Sequence, residues 1–125
     1  MSSVMFRRAL VVLALFQLMA AAAFGQTIAG TVRDDTGAVM PGVTVEASSD
    51  ALIEKVRTVV TDNTGQYKIV NLSPGVYVVT FTLPGFSTVK REGVQLSTDF
   101  TANINADLKV GSLEETITVS GASPV

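Results

Sequence analysis

Histidine and cysteine are both absent from the 125 residues. Their absence removes the commonest general base, the thiol nucleophile and most of the usual metal ligands. A serine–lysine pair or two carboxylates could still form a catalytic site. The acidic residues, however, occupy predicted turns and the polar positions of predicted strands: Asp34, Asp35, Asp62, Glu46, Asp99 and Asp107. Secondary structure thus explains them, and we expect neither an enzyme nor a cofactor.

Two turns of the form Asp-x-x-Gly, at 34–37 and 62–65, suggest calcium as a ligand. A calcium loop needs several carboxylates at alternating positions. The second turn offers one, Asp62, and an aspartate in such a turn also accepts hydrogen bonds from its own backbone. We therefore interpret both segments as plain turns and predict no metal site.

Three aromatic residues, Tyr67, Tyr77 and Phe86, could stack against a sugar. Both tyrosines, however, lie on strand faces that the sequence predicts to be core, and the chain has no tryptophan. The pattern favours a role in the hydrophobic core. A carbohydrate ligand remains an alternative.

The N-terminal 25 residues have the three parts of a secretory signal peptide. Arg7 and Arg8 precede an apolar run at 9–23, which ends in four alanines at 20–23. This run is shorter than the ~20 residues of a spanning helix and contains Gln17. Cleavage is expected after Ala23 or after Gly25. We therefore predict an exported protein with a signal-peptide helix at 1–25.

The predicted mature chain is mildly acidic. Removing the signal leaves seven basic and eleven acidic residues, a charge of −4. The basic residues are scattered along the chain, whereas phosphate backbones require a clustered positive surface. Nucleic acid is excluded as a partner.

Short segments with β-strand character follow the signal, and glycine turns separate most of them. The predicted strands are 27–33, 43–47, 55–61, 66–70, 76–83 and 100–110. In 76–83 both faces are partly apolar, which predicts a mid-sheet position. In 100–110 every second residue is apolar, which predicts one half-buried antiparallel strand. This spacing indicates an all-β, antiparallel sandwich of about seven strands.

Four motifs occur in the order seen in one family. They are the opening hairpin at 28–45, Thr-Asp-Asn-Thr-Gly-Gln-Tyr at 61–67, Leu-Ser-Pro-Gly-Val-Tyr at 72–77, and Pro-Gly-Phe at 84–86. Together they resemble the carboxypeptidase regulatory-like domain, over residues 27–110. The resemblance implies an immunoglobulin-like or transthyretin-like sandwich, also described as a carbohydrate-binding-like fold. It brings no catalytic set, because members of this family mostly serve as folding or docking modules.

The C-terminal residues 111–125 are expected to form a linker with one short strand. The segment 115–120 resembles the TonB box, which outer-membrane receptors offer as an added strand to an energy-transducing periplasmic protein. Its residues, the candidate partner-binding site, are Glu115, Thr116, Ile117, Thr118, Val119 and Ser120. Ile117 and Val119 should face one way. Alternatively, the segment is another edge strand of the sandwich.

An export signal, a regulatory-like domain and a TonB-box-like segment follow one another here as in a large class of TonB-dependent receptors. The resemblance implies the periplasmic N-terminal part of such a receptor, in a Gram-negative bacterium. Because the sequence stops at Val125, before any plug or barrel, we expect a fragment or a truncated relative. A free-standing, secreted carbohydrate-binding or adhesive module is the alternative.

Overall fold

The computed structural model of the chain describes residues 25–111 and 116–119. Within these residues the regular structure consists of nine strands. They are β1 Gln26–Asp34, β2 Thr44–Ser48, β3 Val56–Val60, β4 Gln66–Leu72, β5 Gly75–Thr82, β6 Thr88–Leu96, β7 Thr101–Asn103, β8 Ala106–Leu108 and β9 Thr116–Val119. The predicted signal peptide, apart from Gly25, lies outside the described residues. No helix among 25–111 and 116–119 is long and apolar enough to cross a membrane.

Two sheets enclose one hydrophobic core. The first has the order β4-β1-β7, and β8 also pairs with β1. The second has five strands in the order β3-β2-β5-β6-β9. The predicted immunoglobulin-like all-β sandwich is confirmed, with nine strands in the described residues rather than about seven. Strand β5 lies in the middle of its sheet, as the two-sided apolar pattern of 76–83 indicates.

The core contains the inward-facing residues of both sheets, as period-two alternation requires. Its largest fully buried side chains are Tyr77, Phe81, Ile28, Ile69, Leu72 and Leu108. The Tyr67 ring meets the Phe81 ring edge-on, with centroids 5.6 Å apart and planes at 75°. Edge-to-face packing of this kind adds to the stabilisation that burial provides.

The prediction of one antiparallel strand at 100–110 is wrong. The segment forms β7 and β8, and both run parallel to β1. The chain kinks between them, where Ile104 N donates to Ala29 O at 2.8 Å and Asn105 Oδ1 accepts from Thr31 N at 2.8 Å. The alternation inside the segment is correct, since Ala102, Ile104, Ala106 and Leu108 are buried. Its ends, Phe100 and Val110, are exposed.

The sequence pattern did not predict strand β6. Its inward residues Val89 and Arg91 follow period two, but Val94 and Leu96 are shifted by one position. Gly93, with φ of 69°, lies at this shift in the pairing with β5. A β-bulge of this kind inserts one extra residue and reverses the apparent face of everything beyond it. Counting alternation through Gly93 therefore hides the strand.

One arginine bridges the two sheets on each side of the sandwich. Arg57 on β3 donates from Nη1 to Val70 O at 2.6 Å and to Asn71 O at 3.1 Å, on β4. Arg91 on β6 donates from Nη2 to Asn105 O at 3.0 Å, in the kink between β7 and β8. These bonds satisfy backbone carbonyls at the sheet edges, which would otherwise depend on water.

Candidate functional site

Four of the six residues of the TonB-box-like segment form β9. Thr116–Val119 runs parallel to β6, with Thr116 opposite Thr88 and Val119 opposite Arg91. Glu115 and Ser120 lie outside the described residues. The segment is thus the last strand of the five-stranded sheet, the arrangement that the edge-strand alternative anticipates. Its role in binding a partner stays a prediction.

The side chains of β9 alternate between two faces. Ile117 lies opposite Val89 and Val119 lies opposite Arg91, so both face the inner side of the sheet. Thr116 and Thr118 face the outer side. All four residues are exposed, Ile117 to 44% and Val119 to 39%. Both apolar residues are therefore only partly shielded on the inner face of the sheet.

Strand β9 has a neighbour on one side only among the described residues, since it ends the order β3-β2-β5-β6-β9. Within 25–111 and 116–119, no strand pairs with the backbone N–H and C=O groups of its other edge. Such an edge is a ready template for an added strand. The mixed β-branched sequence Thr-Ile-Thr-Val suits that geometry, since these residues favour extended backbone.

The last residues of the domain, 109–111, lie next to the start of β6. Ser87 N donates to Lys109 O at 2.8 Å, and Gly111 N donates to Gly85 O at 3.1 Å. Residues 109–111 are therefore fixed beside 85–87, immediately before β6 begins at Thr88. Four residues separate Gly111 from β9. This short connection keeps β9 within reach of the β6 edge.

The charged residues near β9 belong to β6. Lys90 lies opposite Thr118 on the outer face, and its Nζ is 3.7 Å from a carboxylate oxygen of Glu92. Arg91 faces inward towards Asn105, and its Nε is buried with no hydrogen-bond partner among the described residues. Two cations, Lys90 and Arg91, and one anion, Glu92, occupy this short stretch, so it carries both signs of charge.

The two Asp-x-Thr-Gly turns are structural. Asp34 Oδ1 accepts from the backbone amide and the hydroxyl of Thr36 and from the backbone amide of Ala38, at 2.5–3.1 Å. Asp62 Oδ1 repeats the pattern with Thr64, at 2.7–3.0 Å. The threonine side-chain bond is the main cause that holds the pKa of each aspartate below its usual value. Each carboxylate is thereby occupied within its own turn.

Nothing in the described part of the chain groups three or more acidic residues where they could hold a metal ion. The two tyrosines considered as a sugar platform are buried instead, as their strand faces predict. Tyr67 Oη donates to Ile104 O and Tyr77 Oη donates to Ser73 O. Burial raises the pKa of both phenols, so they remain neutral hydrogen-bond donors.

A shallow cleft of about 510 Å³ lies on the first sheet, and sequence reasoning did not identify it. It is lined by Gly25, Thr27, Lys68, Val70, Asn71, Asp99, Phe100 and Thr101. Phe100 is 44% exposed there, although its place in the alternation predicted burial. Asn71 and Asp99 adopt positive φ values of 58° and 57°, which sequence pattern alone does not reveal.

Comparison with known proteins identifies the family. The carboxypeptidase regulatory-like domain matches residues 27–109. The TonB-dependent transporter Oar of Myxococcus xanthus is 34% identical over 116 residues, covering 91% of this chain. Because the alignment with the transporter covers 91% of this chain, it extends beyond residues 27–109 at both ends. The chain spans 11% of the length of that transporter.

Solved structures share the fold. A chain from a type II cohesin–X-dockerin complex of Acetivibrio cellulolyticus has a TM-score of 0.56 and 23% identity, covering 70% of this chain and 59% of its own. The 3-chlorocatechol 1,2-dioxygenase of Rhodococcus opacus has a TM-score of 0.57 and 10% identity, covering 72% and 61%. Identities this low show the sandwich alone and transfer no activity. The resemblance drawn from the four motifs is confirmed: the chain belongs to the carboxypeptidase regulatory-like domain family.

Proposed function

We propose that this chain is the exported, non-catalytic N-terminal module of a TonB-dependent outer-membrane receptor. In this function the segment 115–120 is an added strand for the energy-transducing periplasmic protein. The observation that carries the proposal is β9, which directly follows the family domain and, among the residues that the structure describes, pairs with another strand on one edge only. Strand addition needs that edge and a few side-chain pockets, so a short segment suffices.

The transporter relative supports the same assignment. Its similarity continues past 27–109 in both directions, into the predicted signal peptide and towards the C-terminal segment. We propose cleavage after Ala23 or Gly25, a sandwich over 27–110 and a linker with the strand at 111–125. The module would then lie in the periplasm, at the inner side of the outer membrane.

A non-catalytic role agrees with the chemistry of the described residues. The aspartates of both turns are engaged by neighbouring threonines, and the buried tyrosines are engaged by backbone carbonyls. These groups stabilise the sandwich and its turns. The domain thus supplies a rigid, folded base, and the segment after it supplies the contact.

Calorimetry with the C-terminal domain of the energy transducer tests the proposal. The signal-free chain should bind in a 1:1 complex, and Ile117→Asp should abolish binding, because a charge replaces an apolar contact. Ile53→Asp is the matched control. Ile53 is fully exposed in the β2–β3 connection, at the edge of the sheet opposite β9, so this variant should bind normally. Equal binding by both variants, or none by the wild type, would count against the proposal.

The cleft beside Phe100 favours carbohydrate binding as a second candidate. An exposed phenyl ring in a cleft that Asn71 and Asp99 also line combines a stacking surface with residue types that bond hydroxyls. A glycan array probed with the signal-free chain tests this candidate, with Phe100→Ala as the control. Binding that Phe100→Ala removes would support it, and an array without any signal would eliminate it.

A further inference from the structure

Resting on the proposed function, we propose that the energy transducer captures β9 by displacing it from β6. The strand is stored on the edge of its own sandwich, and the β6 edge and the transducer compete for the same backbone. The transducer would therefore not extend the sheet by joining the free edge of docked β9. This competition makes the docked state of β9 a regulator of receptor engagement.

The first argument concerns the side chains of the strand. Ile117 and Val119 are its apolar residues, and both face the inner side of the sheet, beside Val89 and Arg91 of β6. Each is only partly shielded there, since Ile117 is 44% exposed and Val119 is 39% exposed. In strand addition the alternate side chains enter pockets of the partner and provide specificity. A transducer that joined docked β9 would find these two side chains directed towards the sandwich and not towards its own pockets.

The second argument concerns the strength of docking. Strand β9 pairs with β6 over four residues, in parallel, and all four are exposed. Parallel pairing is slightly less stable per residue than antiparallel pairing. By contrast, β5 pairs with the other edge of β6 over six antiparallel positions around the core. Few buried contacts and an exposed ladder are the properties of an element that opens locally.

The third argument concerns the connection. Gly111 is hydrogen-bonded to Gly85, and four residues link it to β9. A short tether keeps a released strand at high effective concentration near β6, so it redocks whenever no partner holds it. The apparent affinity of the whole chain is then reduced by the fraction of molecules in which β9 is open.

A reversible crosslink tests displacement directly. Lys90 and Thr118 are register partners, with side chains on the outer face. Neighbouring strands lie about 4.8 Å apart, within the Cα separation of roughly 4.4–6.8 Å that a disulfide accepts. The chain has no cysteine, so K90C/T118C forms one defined bond. Thr118→Cys alone controls for the substitution, and T44C/T82C, which joins β2 to β5, controls for crosslinking the sheet.

Displacement predicts that oxidised K90C/T118C loses detectable binding to the C-terminal domain of the transducer and that reduction restores it. T44C/T82C should bind whether oxidised or reduced, and Thr118→Cys alone, which has no partner thiol in its own chain, should bind in its reduced form. A free peptide of residues 113–121 should bind about tenfold more tightly than the wild-type chain if β9 is open in one molecule in ten. Binding by the oxidised variant at the strength of its reduced form would overturn the inference and indicate addition to the free edge.

Hydrogen exchange on the wild-type chain gives a second test that needs no variant. Adding the transducer domain should speed exchange of β6 amides, because displacement of β9 exposes that edge. Unchanged or slower exchange on β6 in a formed complex would contradict displacement. A different result would show that the proposed function itself is wrong. In that case neither the free peptide nor the reduced chain would bind the transducer domain, and the displacement inference would be wrong as well.

Discussion

Tyr67 Oη donates a hydrogen bond of 2.5 Å to the carbonyl oxygen of Ile104, across Gly30 of β1. The Ile104 carbonyl lies between β7 and β8, and it faces the interior of the sandwich. A Cβ on Gly30 would lie 1.9 Å from the same oxygen, so only glycine allows the approach. The Ile104 carbonyl is buried and, because of the kink between β7 and β8, does not pair with a neighbouring strand. The Tyr67 hydroxyl supplies the hydrogen-bond donor that this carbonyl needs.

Removing that hydroxyl should destabilise the domain. In Tyr67→Phe the ring still fills the core, but the Ile104 carbonyl loses its donor in a buried position. Leaving a buried acceptor unsatisfied costs about 1–3 kcal/mol of unfolding free energy. Urea denaturation followed by circular dichroism measures the loss.

Tyr77→Phe is the matched control for this change. Its hydroxyl donates to Ser73 O at 2.6 Å in a partly buried position, where water can replace it. The loss should be about 1 kcal/mol or less. If the two variants unfold at the same urea concentration, the special role assigned to the Tyr67 hydroxyl is wrong.

Adding a methyl group at Gly30 should be more harmful than adding one at an open glycine. Gly30→Ala forces the Ile104 carbonyl away from β1, which breaks its bond to Tyr67 and separates β8 from the sheet. Gly37 has φ of 87°, and a Cβ added there would have no neighbouring atom within 4 Å, so Gly37→Ala introduces backbone strain only. That strain costs about 1–2 kcal/mol. Thermal melts of both variants should rank Gly30→Ala well below Gly37→Ala; the reverse order would refute the close approach.

Truncating Tyr77 should cost more than removing its hydroxyl. Tyr77 is fully buried in the centre of the five-stranded sheet. Aromatic truncation in a packed core costs about 3–5 kcal/mol. We expect Tyr77→Ala to shift the denaturation midpoint strongly, while Val76→Ala, the exposed neighbour on the same strand, leaves it nearly unchanged. A midpoint at the wild-type value in Tyr77→Ala would remove that residue from the core.

Acid should destabilise the two aspartate turns. Threonine hydrogen bonds lower the folded-state pKa of Asp34 and Asp62 below the unfolded value near 3.8. A depressed pKa contributes stability above the unfolded pKa, and this contribution is lost as the pH falls through the folded pKa. The melting temperature should therefore decline below about pH 4.

Asp62→Asn isolates the contribution of one turn to this decline. The amide oxygen can still accept hydrogen bonds, but it has no charge to lose, so the fall in melting temperature with acid should be shallower. Asp35→Asn removes one negative charge from the other turn without touching the acceptor oxygens, and it should follow the wild-type curve. Parallel curves for all three proteins would exclude the turns as the source of acid sensitivity.

Much of the fold could be predicted because local patterns agree with it. The apolar alternation in β2, β4 and β5 identifies their inner faces, and glycine turns mark most strand ends. Strand β6 escaped because Gly93 shifts the alternation by one residue. The break between β7 and β8 could not be predicted for a different reason. The apolar residues stay on one face through the kink, namely Ala102, Ile104, Ala106 and Leu108. The apolar alternation is therefore continuous, although the backbone hydrogen bonding is interrupted.

The candidate site could be predicted only as a segment. The sequence of 115–120 indicates a strand with two apolar residues on one face, and Thr116–Val119 forms such a strand. Its neighbour, its parallel direction and its register depend on where residues 109–111 are fixed against 85–87. These contacts join positions about 25 residues apart, and no local pattern encodes them. The Phe100 cleft likewise arises from segments distant in sequence.

The sequence by itself determined the class of the protein: an all-β sandwich of a known family, without histidine or cysteine chemistry, and with one strand-forming segment after the domain. Local residue preferences and motif order suffice for that. Only the tertiary structure decided that β9 lies on β6 with Ile117 and Val119 turned towards the sandwich. Strand pairing is set by hydrogen bonds and packing between distant parts of the chain, and a short β-branched segment will pair with whichever edge the fold brings to it.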